Sequence, residues 1–393
     1  MKIAMVFDGL QVGGIERVGI DYVTLLKNLG HDVSVINLNP NNKEFESELA
    51  GKVAITHYYL PRKLCGEQYA QLIKKNFIGK FIYPLIYIFL GLYLWIAKLV
   101  FRIGNHQRFD IVIAFSGHFN DLTFVANNFL ITKKKMAWLH GALYGYLLIS
   151  DGYYNLYNKI GNLVCLVDDA QDEALIYNHN TKLRINKLYN PTYISDKRID
   201  EGKVEALKAH YGKFLLMVAR FEYPHKDHYT ACKALKILRE NYADNVQLVL
   251  VGSGPEEQAV RDYVKSNHLE KYIHFVGTKF NVQDYYKAAK LLVHASVAGE
   301  GLPTVQLEAM AYGLPQVVTD SKVGPREILG NDEYGLLSRV KDPDDMAKQI
   351  HRLLSDDDLY QFYVRASKRR IKDFQPDTIQ TKLEKILLEV MER

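Results

Sequence analysis

Short uninterrupted apolar runs alternate along this chain with longer stretches whose apolar residues recur every three to four positions. The first run spans 2–7. A glycine turn over 8–14, an amphipathic helix over 15–29, Gly30 as the helix stop and a second run over 32–38 follow. Runs buried on both faces and joined by helices make a βαβ unit, and hence a parallel sheet. The same pattern predicts strands over 111–115, 136–139, 163–167 and 185–189. After a polar, charged stretch over 195–211 it resumes over 214–218, 247–251, 273–275, 291–294 and 316–318, with helices such as 229–239 and 304–312.

This rhythm predicts an α/β protein with two Rossmann-like, doubly wound parallel-sheet domains facing each other across a cleft. The expected division is 1–194 for the N-terminal domain and 195–374 for the C-terminal one. A last helix over 377–391 carries apolar residues at Ile379, Leu383, Ile386, Leu387 and Val390, so it must cover something apolar. It is expected, within 375–393, to return to the first domain.

Composition narrows the class. A chain of 393 residues with 48% apolar content exceeds one ordinary core and is too hydrophobic for disorder. A net charge of +5 is small for this length and argues against a nucleic-acid partner, while Lys133–Lys135 suggests a local surface for anions. Cys65, Cys165 and Cys232 lie far apart without metal-ligand spacing, which points to a reducing compartment and away from a structural zinc site. No charged and apolar leader precedes the first strand, so the expected location is cytoplasmic.

Two strand ends carry the chemistry. Glu300-Gly301-Leu302-Pro303-Thr304 follows a buried run and opens a helix bearing Glu308. A helix N-terminus offers unpaired amides and positive dipole charge to a diphosphate, and glutamates accept hydrogen bonds from hydroxyls. Phosphate together with hydroxyls describes a nucleotide sugar. Arg220 and Lys226, again between a strand and a helix, could neutralise a departing diphosphate. Val251-Gly-Ser-Gly254 lacks the third glycine of a dinucleotide fingerprint and reads as a tight turn lining the donor pocket, with Gly277 and Thr278 beside it. Gly13 and Gly14 could be only a helix-initiating turn.

With these landmarks the sequence resembles, over essentially its full length, the family-4 retaining glycosyltransferases of the GT-B fold, of the bacterial cell-surface polysaccharide type. The resemblance implies that Glu300 and the Gly301–Pro303 backbone hold the donor sugar, Glu308 the ribose hydroxyls, and Arg220 with Lys226 the diphosphate. It implies that Gly13 and Gly14 approach donor and acceptor, and that His140, after the strand over 136–139, contacts the donor sugar, with 116–118 at the neighbouring strand end. Relatives often have a Glu where this chain has His225. The implied reaction moves a sugar, from a UDP-sugar first of all, to a saccharide acceptor on a lipid carrier, by front-face displacement and with no metal or other cofactor. Another GT-B enzyme, such as a nucleotide-sugar epimerase or a phosphorylase, and an inactive membrane-docked scaffold are the alternatives.

Residues 81–97 form an uncharged apolar run flanked by Lys74, Lys75, Lys80, Lys98 and Arg102. As a helix the run falls somewhat short of a bilayer's hydrocarbon core, at about 1.5 Å per residue against roughly 30 Å. The expectation is interfacial docking through 77–101 on the inner face of the cell membrane. The alternative is a long crossover helix buried on the first sheet.

Overall fold

A computed structural model describes every residue except 76, 142, 169–171, 174–175, 177–182, 194–197, 280, 298–300, 322–323 and 393. Two compact units result, Met1–Pro191 with Pro376–Arg393, and Thr192–Gln375.

The first unit is a parallel sheet of order β3-β2-β1-β4-β5-β6-β7. Its strands are β1 (Lys2–Phe7), β2 (Asp32–Asn37), β3 (Ala54–His57), β4 (Arg108–Ala114), β5 (Ile131–Leu139), β6 (Asn162–Cys165) and β7 (Arg184–Lys187). The short β3, with few apolar residues, escapes the pattern analysis. Ile3, Ala4, Met5, Val6 and Phe7 are wholly buried, as expected of a central strand covered on both faces. The helices used below are α1 (Gly14–Asn28), α2 (Phe77–Gly104), α3 (Phe119–Ala126), α4 (Leu143–Ile149) and α5 (Gly152–Ile160).

The second unit has the order β10-β9-β8-β11-β12-β13. Its strands are β8 (Phe214–Val218), β9 (Gln247–Val251), β10 (Ile273–Phe275), β11 (Leu291–His294), β12 (Gln316–Thr319) and β13 (Leu336–Ser338). Leu215 and Met217 enter one apolar cluster, Phe214 and Leu216 another, so alternate residues of β8 serve opposite covered faces. Three helices matter for the site: α6 (His228–Asn241), α7 (Gln283–Ala288) and α8 (Thr304–Ala311). The last helix of the chain, α9 (Pro376–Glu392), buries Ile379, Leu383, Ile386, Leu387 and Val390 against the first unit, where it meets α1 and β5.

Three expectations need correction. The helix through the apolar run is 28 residues long, not 17, because the pattern continues past Lys80 and Lys98. It connects β3 to β4 as a crossover, yet buries only Gly79, Leu90, Leu94 and Phe101. The Lys133–Lys135 run is not an open anion surface. Lys133 pairs with Asp110 at 2.8 Å and Lys135 donates to the Lys159 carbonyl at 2.7 Å.

Candidate functional site

In an open parallel sheet, loops diverge where the strand order reverses, and a ligand fits outside the strand carboxyl ends there. In the second unit this point lies between β8 and β11, which are neighbours.

The loop after β8 carries Arg220 and Lys226 and is stitched to its surroundings. Its amides bond forward to the next strands, Ala219 N–H to Val251 at 3.0 Å and Asp227 N–H to Ala295 at 2.9 Å. Asp227 caps α6 through the Thr230 amide at 3.1 Å. Arg220 is largely exposed, with Glu222 at 3.2 Å. Lys226 Nζ lies 3.4 Å from Nε2 of His294, the fully buried last residue of β11. The loop therefore holds one cation out in solvent and anchors the other.

The glycine turn after β9 is a packing requirement. A Cβ on Gly252 would stand 2.0 Å from the Ala219 carbonyl oxygen, and one on Gly254 would stand 2.4 Å from that of Phe221. The turn after β10 joins it, since Gly252 N–H donates to Gly277 at 3.0 Å and the Ser253 and Thr278 hydroxyls are 2.9 Å apart. Gly277 takes φ +69 and a Cβ there meets nothing.

Glu300 lies outside the described residues. Of its neighbours, Gly301 presses its carbonyl on Gly324, where a Cβ would come within 1.5 Å. Pro303 is the N-cap of α8, with Thr304 as first residue, so the proline precedes the helix and does not open it. Leu302 is partly buried. One turn and a little more along α8, Glu308 accepts a hydrogen bond from Tyr286 Oη on α7 at 2.8 Å. Burial raises the Glu308 carboxyl above its ordinary value against that hydrogen bond. Arg326 lies in the first turn of the next helix, Gly324–Leu329, and pairs with Asp320.

In the first unit the reversal lies between β1 and β4. Gly13 is the N-cap of α1, and a Cβ there would stand 2.3 Å from the Glu16 carboxylate, which would have to swing aside. Gly14 has open space around it, so only Gly13 has a side chain folded against it. Beyond β5, His140 Nε2 lies 2.5 Å from the Phe115 carbonyl, and the ring meets the Phe115 ring at 5.0 Å. Burial lowers its pKa to about 4, so the imidazole is neutral and its Nε2 carries the hydrogen that the carbonyl accepts.

Beside it lies a polar cluster that pattern analysis did not assemble. The Asp8 carboxylate accepts from Arg62 and Asn120 and pairs with His118 Nδ1 at 3.0 Å, while its amide donates to Ser116 Oγ at 2.9 Å. Burial pushes Asp8 upward, but hydrogen bonds and charge from His118 and Arg62 outweigh it and hold the carboxyl at about 2. Asp121 accepts from the Gly117 and His118 amides at 2.9 and 2.7 Å, and burial drives it up to about 7. The only sequence signal was position: Asp8 directly follows β1, and Ser116 and His118 follow β4.

The two units thus supply different chemistry at their strand ends, cations and a hydroxyl-accepting glutamate in one, a neutral imidazole and a charged network in the other. Comparison with known proteins decides what that chemistry belongs to. Residues 199–370 match the family model of glycosyl transferases group 1. That segment, somewhat less than half of the chain, is a glycosyl transferases group 1 domain.

An uncharacterized glycosyltransferase of Haemophilus influenzae is 26% identical over 356 residues, 88% of each chain. The N-acetylgalactosamine-N,N'-diacetylbacillosaminyl-diphospho-undecaprenol 4-alpha-N-acetylgalactosaminyltransferase of Campylobacter jejuni is 29% identical over 298 residues, 73% of this chain and 72% of that one. Among solved structures, Anabaena Alr3699/HepE in complex with UDP superposes with a TM-score of 0.76 at 18% identity, covering 99% of this chain and 100% of that one. The glycosyltransferase has the GT-B fold, with one Rossmann-like parallel sheet in each unit.

Proposed function

We propose that this glycosyltransferase moves a sugar, with retention of anomeric configuration, from a UDP-sugar to a saccharide acceptor on a lipid carrier in cell-surface polysaccharide synthesis. The observation that carries the donor side is the convergence of four strand ends in the second unit. Lys226 and Arg220 follow β8, the stitched glycine turns follow β9 and β10, and the α8 glutamate follows β11.

In this reading the Glu308 carboxylate accepts from the ribose hydroxyls, sharing the site with Tyr286 Oη. Lys226 and Arg220 stabilise the negative charge that develops on the departing phosphate oxygen, which takes the proton of the attacking hydroxyl. Glu300 and the 301–303 backbone orient the sugar. His140, neutral, offers polar contact without adding a charge that would compete with the diphosphate. Metal independence belongs to the proposal, since two basic side chains supply the countercharge.

The acceptor reading is supported by the diphospho-undecaprenol named for the Campylobacter jejuni relative and by the apolar, exposed side of α2. It implies a peripheral position on the inner face of the cell membrane. The test is to incubate purified protein and membrane lipid acceptors with UDP- and GDP-sugars, following nucleotide release and product configuration. An α product from an α-linked UDP-sugar, unaffected by EDTA, is expected. A β product overturns retention, EDTA loss overturns metal independence, and sugar isomerisation without acceptor replaces the whole reading by an epimerase.

A further inference from the structure

The first unit carries an apolar surface that the donor chemistry does not use. The buried positions of α2, Gly79, Leu90, Leu94 and Phe101, fall within about one-sixth of the helix circumference at about 100° per residue. This stripe is fastened along its length. Near one end Lys159 donates to Tyr87 Oη at 2.8 Å and to the buried Glu67 at 2.9 Å. Near the other, Phe101 meets the Tyr58 ring at 4.8 Å and Arg102 donates to the Asn128 carbonyl at 2.7 Å.

The opposite side of α2 is apolar and open. Phe77, Phe81, Leu85, Phe89, Trp95 and Ile103 are each more than half exposed. A surface of that extent on a soluble monomer marks an interaction site. Charge selects the occupant: residues 68–109 contain no Asp or Glu but six basic residues. Lys80 and Lys98 share the flank between the packed stripe and the open side, where snorkelling side chains would reach lipid phosphates.

The surface extends beyond α2. Leu148 and Ile149, at the end of α4, are 64% and 54% exposed. Gln71 donates to the Leu148 carbonyl at 3.1 Å, and Lys74 pairs with Asp151 at 2.6 Å, so the end of α4 adjoins the segment leading into α2. The same short helix begins three residues after His140.

We infer that α2 lies in the plane of an anionic lipid leaflet, submerged along its length, and that Leu148 and Ile149 submerge with its N-terminal end. The inference rests on the membrane part of the proposed function and adds an orientation to it. A helix of about 42 Å held to its domain at Tyr87 and again at Phe101 and Arg102 cannot cross a bilayer without pulling Tyr87 away from Lys159 and the buried Glu67. The loop carrying His140 then runs at the lipid surface, where a lipid-anchored saccharide arrives.

The test uses the full chain, whose three native cysteines are buried. An environment-sensitive fluorophore is attached to Phe81→Cys, Leu92→Cys, Ile103→Cys or Leu148→Cys, with Glu205→Cys as an aqueous control. Quenching by brominated lipids is read in phosphatidylcholine vesicles with and without phosphatidylglycerol. The four labels are expected at one shallow depth, only with phosphatidylglycerol present, and Trp95 quenched while the buried Trp138 is not. A deep Leu92 label between shallow Phe81 and Ile103 labels means a spanning helix and overturns the orientation. A Leu148 label left in water overturns the extension to α4. No vesicle binding, with self-association in sedimentation, removes the membrane reading itself while sugar transfer to a soluble acceptor analogue survives.

Discussion

Nζ of Lys226 lies 3.4 Å from Nε2 of His294, so a side chain expected to meet a diphosphate is braced by a buried imidazole at the end of the adjacent strand. An ammonium can only donate, so Nε2 accepts and the histidine proton is on Nδ1. Replacing Lys226 by Ala should lower kcat by roughly 10²–10³, the loss typical of one donor to a developing anion, without changing the thermal midpoint appreciably. His294→Gln, keeping an acceptor, should lose less than His294→Ala. Full turnover in the Lys226 variant would remove it from the mechanism.

Glu308 and Tyr286 set a pH dependence. Only the carboxylate accepts two hydroxyls well, and burial has raised its pKa. Donor KM should therefore rise as pH falls, beginning above the ordinary carboxylate range, and Glu308→Gln should show a raised but flat KM. The sign for stability is opposite. A carboxyl raised by folding weakens the fold as pH rises through its pKa, so Glu308→Gln should melt no lower than wild type at neutral pH. A steep KM profile in the variant would contradict the assignment.

The glycines separate packing from conformation. Gly252→Ala must displace the Ala219 carbonyl and should cost at least the roughly 1–3 kcal/mol of an overpacked site, with loss of soluble protein as the cruder sign. Gly277→Ala faces only its φ of +69 and should cost roughly 1–2 kcal/mol. Chemical denaturation of both variants checks the order.

Asp8 should govern the acid limb of stability. Its folded pKa of about 2, against an ordinary 3.8, adds stability that is present above the ordinary value and lost as pH falls toward 2. The amount is on the order of 2 kcal/mol. Asp121, raised to about 7, acts with the opposite sign, weakening the fold as pH rises from about 4 to 7. Asp8→Asn should destabilise at neutral pH, leaving Arg62 and His118 facing a neutral partner, and flatten the limb below pH 4. An unchanged limb would show that the pairing does not form.

Much of this protein is determined by local pattern. The strands 214–218, 247–251, 273–275 and 291–294 were legible to the residue, because a strand covered on both faces must be continuously apolar and glycine or polar turns bound it. The five apolar residues of the last helix are its five buried ones. The placement of Arg220 and Lys226 between a strand and a helix, and of Glu308 on the helix after β11, was legible too, from an apolar run followed by a turn and a helical pattern.

What only the tertiary structure decided is which distant side chains meet. Lys226 and His294 are 68 residues apart, and Asp8 and Asn120 are 112 apart. No periodicity encodes such pairs; strand order brings β8 beside β11 and β1 beside β4. Gly13 and Gly14 look alike in sequence, but the Glu16 carboxylate is folded over Gly13 alone. The apolar run likewise promised a contact with lipid or with protein. Packing that takes one stripe of α2 and leaves the rest uncovered gave it two different sides, because its neighbours cover only the face of the helix turned toward them.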